Sequence, residues 1–178
     1  MLINKAKSVD AVGANVLKGN GTRDGLKGGG IFTVRCHDKN GNLKWEQKSH
    51  NLVVNVGLAY VNTTFFKGSG YTAAWYVGVY GPASSNNPSS TDTMASHAGW
   101  TEVTAYSNAT RPAATFGAAT TADPSVIANS AAPAQFLINA SANVGGAFLT
   151  TGDSPGGSSG VLFSASDFAA PGDRVVQN

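Results

Sequence analysis

The chain has 178 residues, enough for one domain with a hydrophobic core, and no shift in composition divides it in two. Charged residues make up 12% of it, about half the roughly 25% of an ordinary soluble domain, so the surface must be largely uncharged. The net charge of +2 is spread among glycines without interleaved aromatics, which argues against a specific nucleic-acid partner.

The charge that exists is uneven. Met1 to His50 holds nine Lys and Arg against four acids, the remainder three against six, and no lysine follows Lys67. Lysine is depleted where protein surfaces bury one another, so its absence fits a domain with much surface in an assembly; compositional drift in a chain rich in small residues fits it equally. The single Cys36 excludes an internal disulfide, and MLINKAKSVDAVGAN lacks the apolar core of a secretory signal, which implies synthesis in a cytosol. Without secretion, the Asn-x-Ser/Thr triplets at Asn20, Asn62, Asn108 and Asn139 are chance matches to the glycosylation pattern. The most apolar stretch, Leu52 to Val61, is interrupted by Asn55 and far shorter than the ~20 residues that span a bilayer, so no membrane contact is expected.

Residues 1–30 read as an extended N-terminal arm, poor in large apolar side chains and ending in GNGTRDGLKGGG, where glycine entropy opposes regular structure. Residues 31–178 read as a β-rich domain. IFTVRCHDKNGNLKWEQKSH gives two strands, Ile31 to His37 and Asn42 to Lys48, around the turn Asn40-Gly41. Leu43, Trp45 and Gln47 share one face of the second strand, and Lys44, Glu46 and Lys48 wet the other.

From Val54 to Phe66 the apolar positions Val54, Leu58, Val61 and Phe65 recur at helical spacing, with Asn51 or Asn55 as cap and Lys67-Gly68 as the ending. After Gly70 the runs YTAAWYVGVYG, GWTEVTAY, ATFGAAT, AQFLINA, VGGAFLTT and VLFSAS are short, β-prone and separated by turn formers. The whole therefore reads as a single antiparallel sandwich or barrel-like domain, mainly β, with one helix. Ala134 to Ala140 is expected to pair with Val144 to Thr151, with a bulge at Gly145-Gly146. The end DRVVQN either pairs through Arg174 to Gln177 or leaves an open sheet edge for another chain.

Few of the chain's motifs carry chemistry. Gly19, Gly21 and Gly25 have the wrong spacing for a dinucleotide loop. Gly156-Gly157-Ser158-Ser159-Gly160 matches Gly-x-Ser-x-Gly but sits in a low-complexity loop before an apolar run, where a nucleophile elbow needs a strand and then a helix. Cys36 and His37, adjacent on a strand, point to opposite faces, which makes a buried thiol and an exposed imidazole. Three histidines and one cysteine at unrelated spacings give no zinc site, and Asp92, Asp123 and Asp153 lie in no Asp-rich calcium loop. No catalytic residue, metal or cofactor is expected.

One segment concentrates polar chemistry: TDTMASHAGWTEVTAY, Thr91 to Tyr106. As an enzyme site it would use His97 as base and Asp92 or Glu102 to orient it, but no nucleophile accompanies them. As structure, Thr91 caps a single turn through its hydroxyl and Asp92 suits that turn's positive end. Gly99 then reverses the chain, Trp100 buries against the sheet, and Glu102 pairs with Arg111, the one strong cation nearby. The structural account is preferred.

The runs YTAAWYVGVYG, DTMASHAGWTEVTAYSNATRPAATFGAA and AQFLINASANVGGAFLTT, extending back to HNLVVNVGL, together resemble a group of tailed-bacteriophage virion structural proteins over about Asn51 to Phe168. The resemblance implies a virion component made in the host bacterial cytoplasm, with no catalytic motif to transfer. In those proteins the chain tends to continue past the Gly-Asp turn into a further strand, so the resemblance leaves the completeness of the chain at Asn178 open. The expected role is a capsid-associated decoration or minor head protein that binds and stabilises the shell, a homo-oligomer in contact with capsid or other virion proteins. The alternative is a tail or tail-fibre component, including a host-adhesion module in which Trp75, Tyr76 or Trp100 stacks on glycans. A depolymerase would need a carboxylate pair about 5 to 10 Å apart in a cleft, which the sequence does not offer.

Overall fold

The computed structural model describes residues 28–68, 70–71, 74–81, 88–122, 125–168 and 172–177. The arm expected over residues 1–30 lies outside them apart from Gly28 to Gly30. The described chain is mainly β, all antiparallel, with one helix.

β1 (Ile31–His37) and β2 (Leu43–His50) form the first hairpin. Its connection is wider than a two-residue turn. The Asp38 carboxylate accepts from the amides of Asn40 (2.8 Å) and Asn42 (2.9 Å) and from Asn42 Nδ2, while Gly41 takes the positive φ of 84°. Burial alternates along both strands, with Trp45, Gln47 and Ser49 turned inward and Arg35 paired to Glu46 at 2.6 Å on the wet side. Leu43 departs from the expected inner face and is exposed, because the register shifts between Cys36 and His37 at the strand end.

The central sheet has five strands in the order β3 (Leu52–Val53), β8 (Leu162–Asp167), β7 (Gly146–Thr150), β4 (Tyr76–Gly81), β5 (Thr101–Glu102). β6 (Ala142–Val144) pairs with β9 (Arg174–Val176) in a separate ribbon, so Arg174 to Val176 of the expected Arg174 to Gln177 are paired. The period-two alternation of the central strands sends side chains to two apolar layers. On one face Tyr80, Phe148, Leu162 and Ala165 pack with Val54, Val56, Met94 and Trp100. On the other, Val79, Ala147 and Phe168 pack with Val144 and Val176 and against Val34, Cys36 and Trp45 of the first hairpin. Cys36 is thus half-buried and His37 exposed.

The helix α1 (Asn55–Val61) continues as a single π turn over Asn62–Phe66, ending at Lys67 and Gly68, whose φ is +68°. Neither expected asparagine caps it. Val54 occupies that position, while Asn51 accepts from the Gly30 amide and donates to Ser164 Oγ. The wider π turn rotates Phe65 off the stripe begun by Val54 and Leu58, and Phe65 is 77% exposed. Gly57 faces β8 so closely that a Cβ there would lie 2.4 Å from the Phe163 carbonyl oxygen.

The expected hairpin of residues 134–140 with 144–151 does not form. Gly146 to Thr150 carries large or fully buried side chains on both faces and lies between β4 and β8. The 134–140 stretch instead runs beside residues 105–108, with Ser107 N donating to Leu137 O and Asn139 N to Ala105 O. The chain leaves β6 at Gly145, whose amide donates to Tyr80 O and whose carbonyl accepts from Phe168 N; the ladder irregularity falls at Leu149/Thr150 rather than at the glycines.

Gly78 and Gly146 face aromatic rings across the ladder. Gly78 pairs with Phe148, and Gly146 with Tyr80. A Cβ on either would lie 2.1 Å from the opposing ring. Both rings are fully buried and cannot retreat. Gly78→Ala is expected to destabilise the fold by about 1–3 kcal/mol, the usual cost of overpacking, read as a lowered urea midpoint.

Candidate functional site

The polar segment begins with a tight reversal. Thr93 N donates to Ser96 O (2.9 Å), and Ser96 N donates to Thr93 Oγ1 (3.0 Å). Thr93 therefore closes the turn, and Thr91 does not cap it as expected: Thr91 is exposed, with its hydroxyl 2.9 Å from Ser89 Oγ. The reversal is a bridge between Thr93 and Ser96 with no helical turn behind it, so no free first-turn amides face Thr91. Asp92 is buried and its Oδ2 accepts from Ser89 N (3.0 Å) and Trp100 Nε1 (3.1 Å).

Gly99, at φ +94°, brings Trp100 under the sheet. The indole is 4% exposed and packs on Tyr80 at 4.7 Å, Phe148 at 5.3 Å and the stacked His97 ring at 3.8 Å. His97 Nδ1 lies 3.0 Å from Trp100 O. The ring therefore closes the reversal at both its polar and its apolar surface.

Glu102 and Arg111 form a buried bidentate pair: Arg111 Nε donates to Oε1 at 2.8 Å and Nη2 to Oε2 at 2.7 Å. Arg111 also donates to the carbonyls of Gly152 (2.8 Å) and Gly157 (2.9 Å), and its guanidinium sits 5.4 Å over the Phe148 ring. Glu102 Oε2 further accepts from Gly156 N (2.7 Å), and Tyr106 Oη donates to Oε1 at 3.4 Å. One guanidinium thus ties β5, the segment after it and the loop between β7 and β8 together.

A cleft of about 230 Å³ opens here, lined among others by Met94, His97, Trp100, Glu102, Phe148 and Ser158. Its acid and its imidazole are both engaged. Glu102 is held by four donors, while His97 is stacked and bonded to the backbone, so the arrangement sets no acid and base against a nucleophile. Ser158 sits in the loop before β8, where a strand follows in place of the helix a nucleophile elbow requires. Among the described residues no group of His, Cys, Asp or Glu is placed to hold a metal ion; Asp123 lies outside them.

Trp75 and Tyr76 stand at the other end of β4 and do not join this cleft. Trp75 is half-buried, donates from Nε1 to Tyr71 Oη at 2.8 Å, and meets Tyr60 and Phe163 edge-on. Tyr76 is half-buried opposite Thr150. Trp100, buried as it is, presents no face for stacking.

A second polar contact has no signal in the sequence. Tyr80 Oη donates to Asp167 Oδ1 at 2.5 Å. Burial is the largest cause raising both the Tyr80 phenol and the Asp167 carboxyl above their ordinary ranges; for Asp167 it outweighs the opposing effect of the hydrogen bond.

No family model, curated protein or solved structure matches the chain. What the fold defines is a class: a mainly β, sandwich-like antiparallel domain whose polar cluster is bonded inward. No helix among the described residues is long and apolar enough to cross a membrane.

Proposed function

We propose that the protein is a virion structural component of a tailed bacteriophage, a capsid-associated decoration or minor head protein that binds the shell and stabilises it, acting as a homo-oligomer without catalysis. The observation that carries this reading is a contrast: the polar cluster is turned inward, while large apolar side chains stand on a weakly charged surface. Phe65 is 77% exposed, Ile31 and Leu137 60%, Ile127 54% and Phe66 49%. Such surface is what protein interfaces cover.

The arm is the expected anchor, and Gly30 bonds Asn51 through both its amide and its carbonyl, so a truncation should keep Gly28 to Gly30. Removing Met1 to Lys27 is expected to abolish binding to purified shells while circular dichroism stays unchanged. Normal decoration by the truncated protein would remove the arm from the reading.

The tail alternative has one observation in its favour, the half-buried Trp75 beside the exposed Tyr71. Copy number separates the two: hundreds per particle mark a head protein, about six to eighteen a tail part.

A further inference from the structure

We infer that β1 is an open edge for strand addition, and that its occupant is an extended acidic segment of a partner protein in which carboxylates alternate with apolar side chains. Its biological place rests on the assembly reading above; its support is the geometry and charge of the first hairpin.

Two contacts fix which backbone groups of β1 face away from β2. Asn51 N donates to Gly30 O at 2.9 Å, so these two residues, in register with the ladder, form a hydrogen-bonded pair. Such pairs alternate along an antiparallel ladder, so Phe32 with Ser49 and Val34 with Gln47 are bonded likewise, and Ile31, Thr33 and Arg35 turn their N–H and C=O outward. β2 agrees: His50, opposite Ile31, gives its carbonyl to Ser166 Oγ at 2.7 Å. Among the described residues no other strand pairs with β1. The strand holds neither the lysine nor the proline that blunts a solvated edge, and its irregularity lies at the far end, between Cys36 and His37.

The two faces beside this edge specify what fits. On the inner face Phe32, Val34 and Cys36 are only half-buried at the margin of the second apolar layer, which apolar side chains of an added strand would continue. On the outer face stand the exposed Thr33 and Arg35, with Lys48 directly behind Thr33 in the ladder. Threonine is short, so the lysine reaches over it.

Charge selects the occupant. From Ile31 to His50 the hairpin holds four cations against two acids, and both acids are engaged: Asp38 by the turn amides, Glu46 by Arg35 at 2.6 Å and Lys48 at 3.3 Å. After His50 the balance reverses, with three cations against six acids, so the hairpin is the chain's cationic pole outside the arm. A second copy of β1 would set two cationic hairpins side by side, whereas carboxylates on an added strand meet Arg35 and Lys48. Nucleic acid answers the charge but has no strand edge to offer.

The test uses the full chain and a labelled, capped heptapeptide alternating valine with glutamate, read by fluorescence anisotropy at low salt. Its three glutamates fall opposite Ile31, Thr33 and Arg35, and saturable binding is expected below about 1 mM. Replacing glutamate by lysine is expected to weaken binding about tenfold or more, and so is methylating the three glutamate amides, which keeps the charge and removes the donors. Thr33→Pro, which removes an outward N–H and no bond to β2, is expected to abolish binding with circular dichroism unchanged. Absence of binding, equal binding of the lysine peptide, or equal binding of the methylated peptide overturns the inference; the last would mean a surface that attracts any anion, nucleic acid included. Self-association of the wild type that Thr33→Pro abolishes would give the edge to a second copy and overturn the acidic occupant. Shell binding reports separately: a chain that ignores the peptide yet decorates shells leaves the virion reading intact, and one that binds the peptide yet ignores shells removes it.

Discussion

Trp100→Ala is expected to lower the unfolding free energy by about 3–5 kcal/mol, and His97→Gln by less than about 1 kcal/mol, both read from urea midpoints by far-ultraviolet circular dichroism. The two residues touch, and both look functional in sequence, yet they stand at different depths. The indole is enclosed by Tyr80, Phe148 and His97, so its removal leaves a cavity that rigid sheet residues cannot collapse to fill. It also deprives the buried Asp92 of the Nε1 donor, leaving that carboxylate with the Ser89 amide. His97 lies at the cleft wall, half-buried, and glutamine keeps a donor for the Trp100 carbonyl. Equal losses in the two variants would mean that the stacked imidazole, and not the indole, holds the reversal.

Arg111→Met is expected to cost about 3–5 kcal/mol, the range found when one partner of a buried ion pair is removed. The loss falls in several places at once. Glu102 stays buried with both oxygens short of donors, and the carbonyls of Gly152 and Gly157 lose theirs. Pairing Arg111→Met with Glu102→Leu should recover part of the loss, because an uncharged pair leaves no stranded carboxylate; the carbonyls stay unsatisfied, so recovery is incomplete. A double variant no better than Arg111→Met alone would show that the guanidinium's carbonyl contacts outweigh its carboxylate contact.

The parts of this architecture legible in the sequence are those decided by neighbours along the chain. The first hairpin follows from alternation and from Asn40-Gly41, and Glu102 reaches Arg111 across only nine positions. The reach of Arg111 to Gly152 and Gly157 leaves no local trace, because backbone carbonyls have no residue signature. Tyr80 and Asp167 are likewise joined only by the order of the strands. The misassigned partner of residues 134–140 has the same origin: short connections favour sequential hairpins, but burial on both faces draws Gly146 to Thr150 into the centre of the sheet. Thr91 and Thr93 illustrate a finer limit, since either hydroxyl suits a turn and only the geometry of the reversal chooses Thr93.

The glycine and aromatic pairs on β4 and β7 carry a consequence for strand alignment. Face alternation alone forbids a slip of one residue but tolerates a slip of two, which returns every side chain to its own side. Here a slip of two in one direction would bring Tyr80 opposite Phe148, setting ring against ring, and in the other direction would bring Gly78 opposite Gly146, leaving a void. Two glycines thus act as a key whose notches fit one alignment, and the sheet's central pair can zip up in a single way.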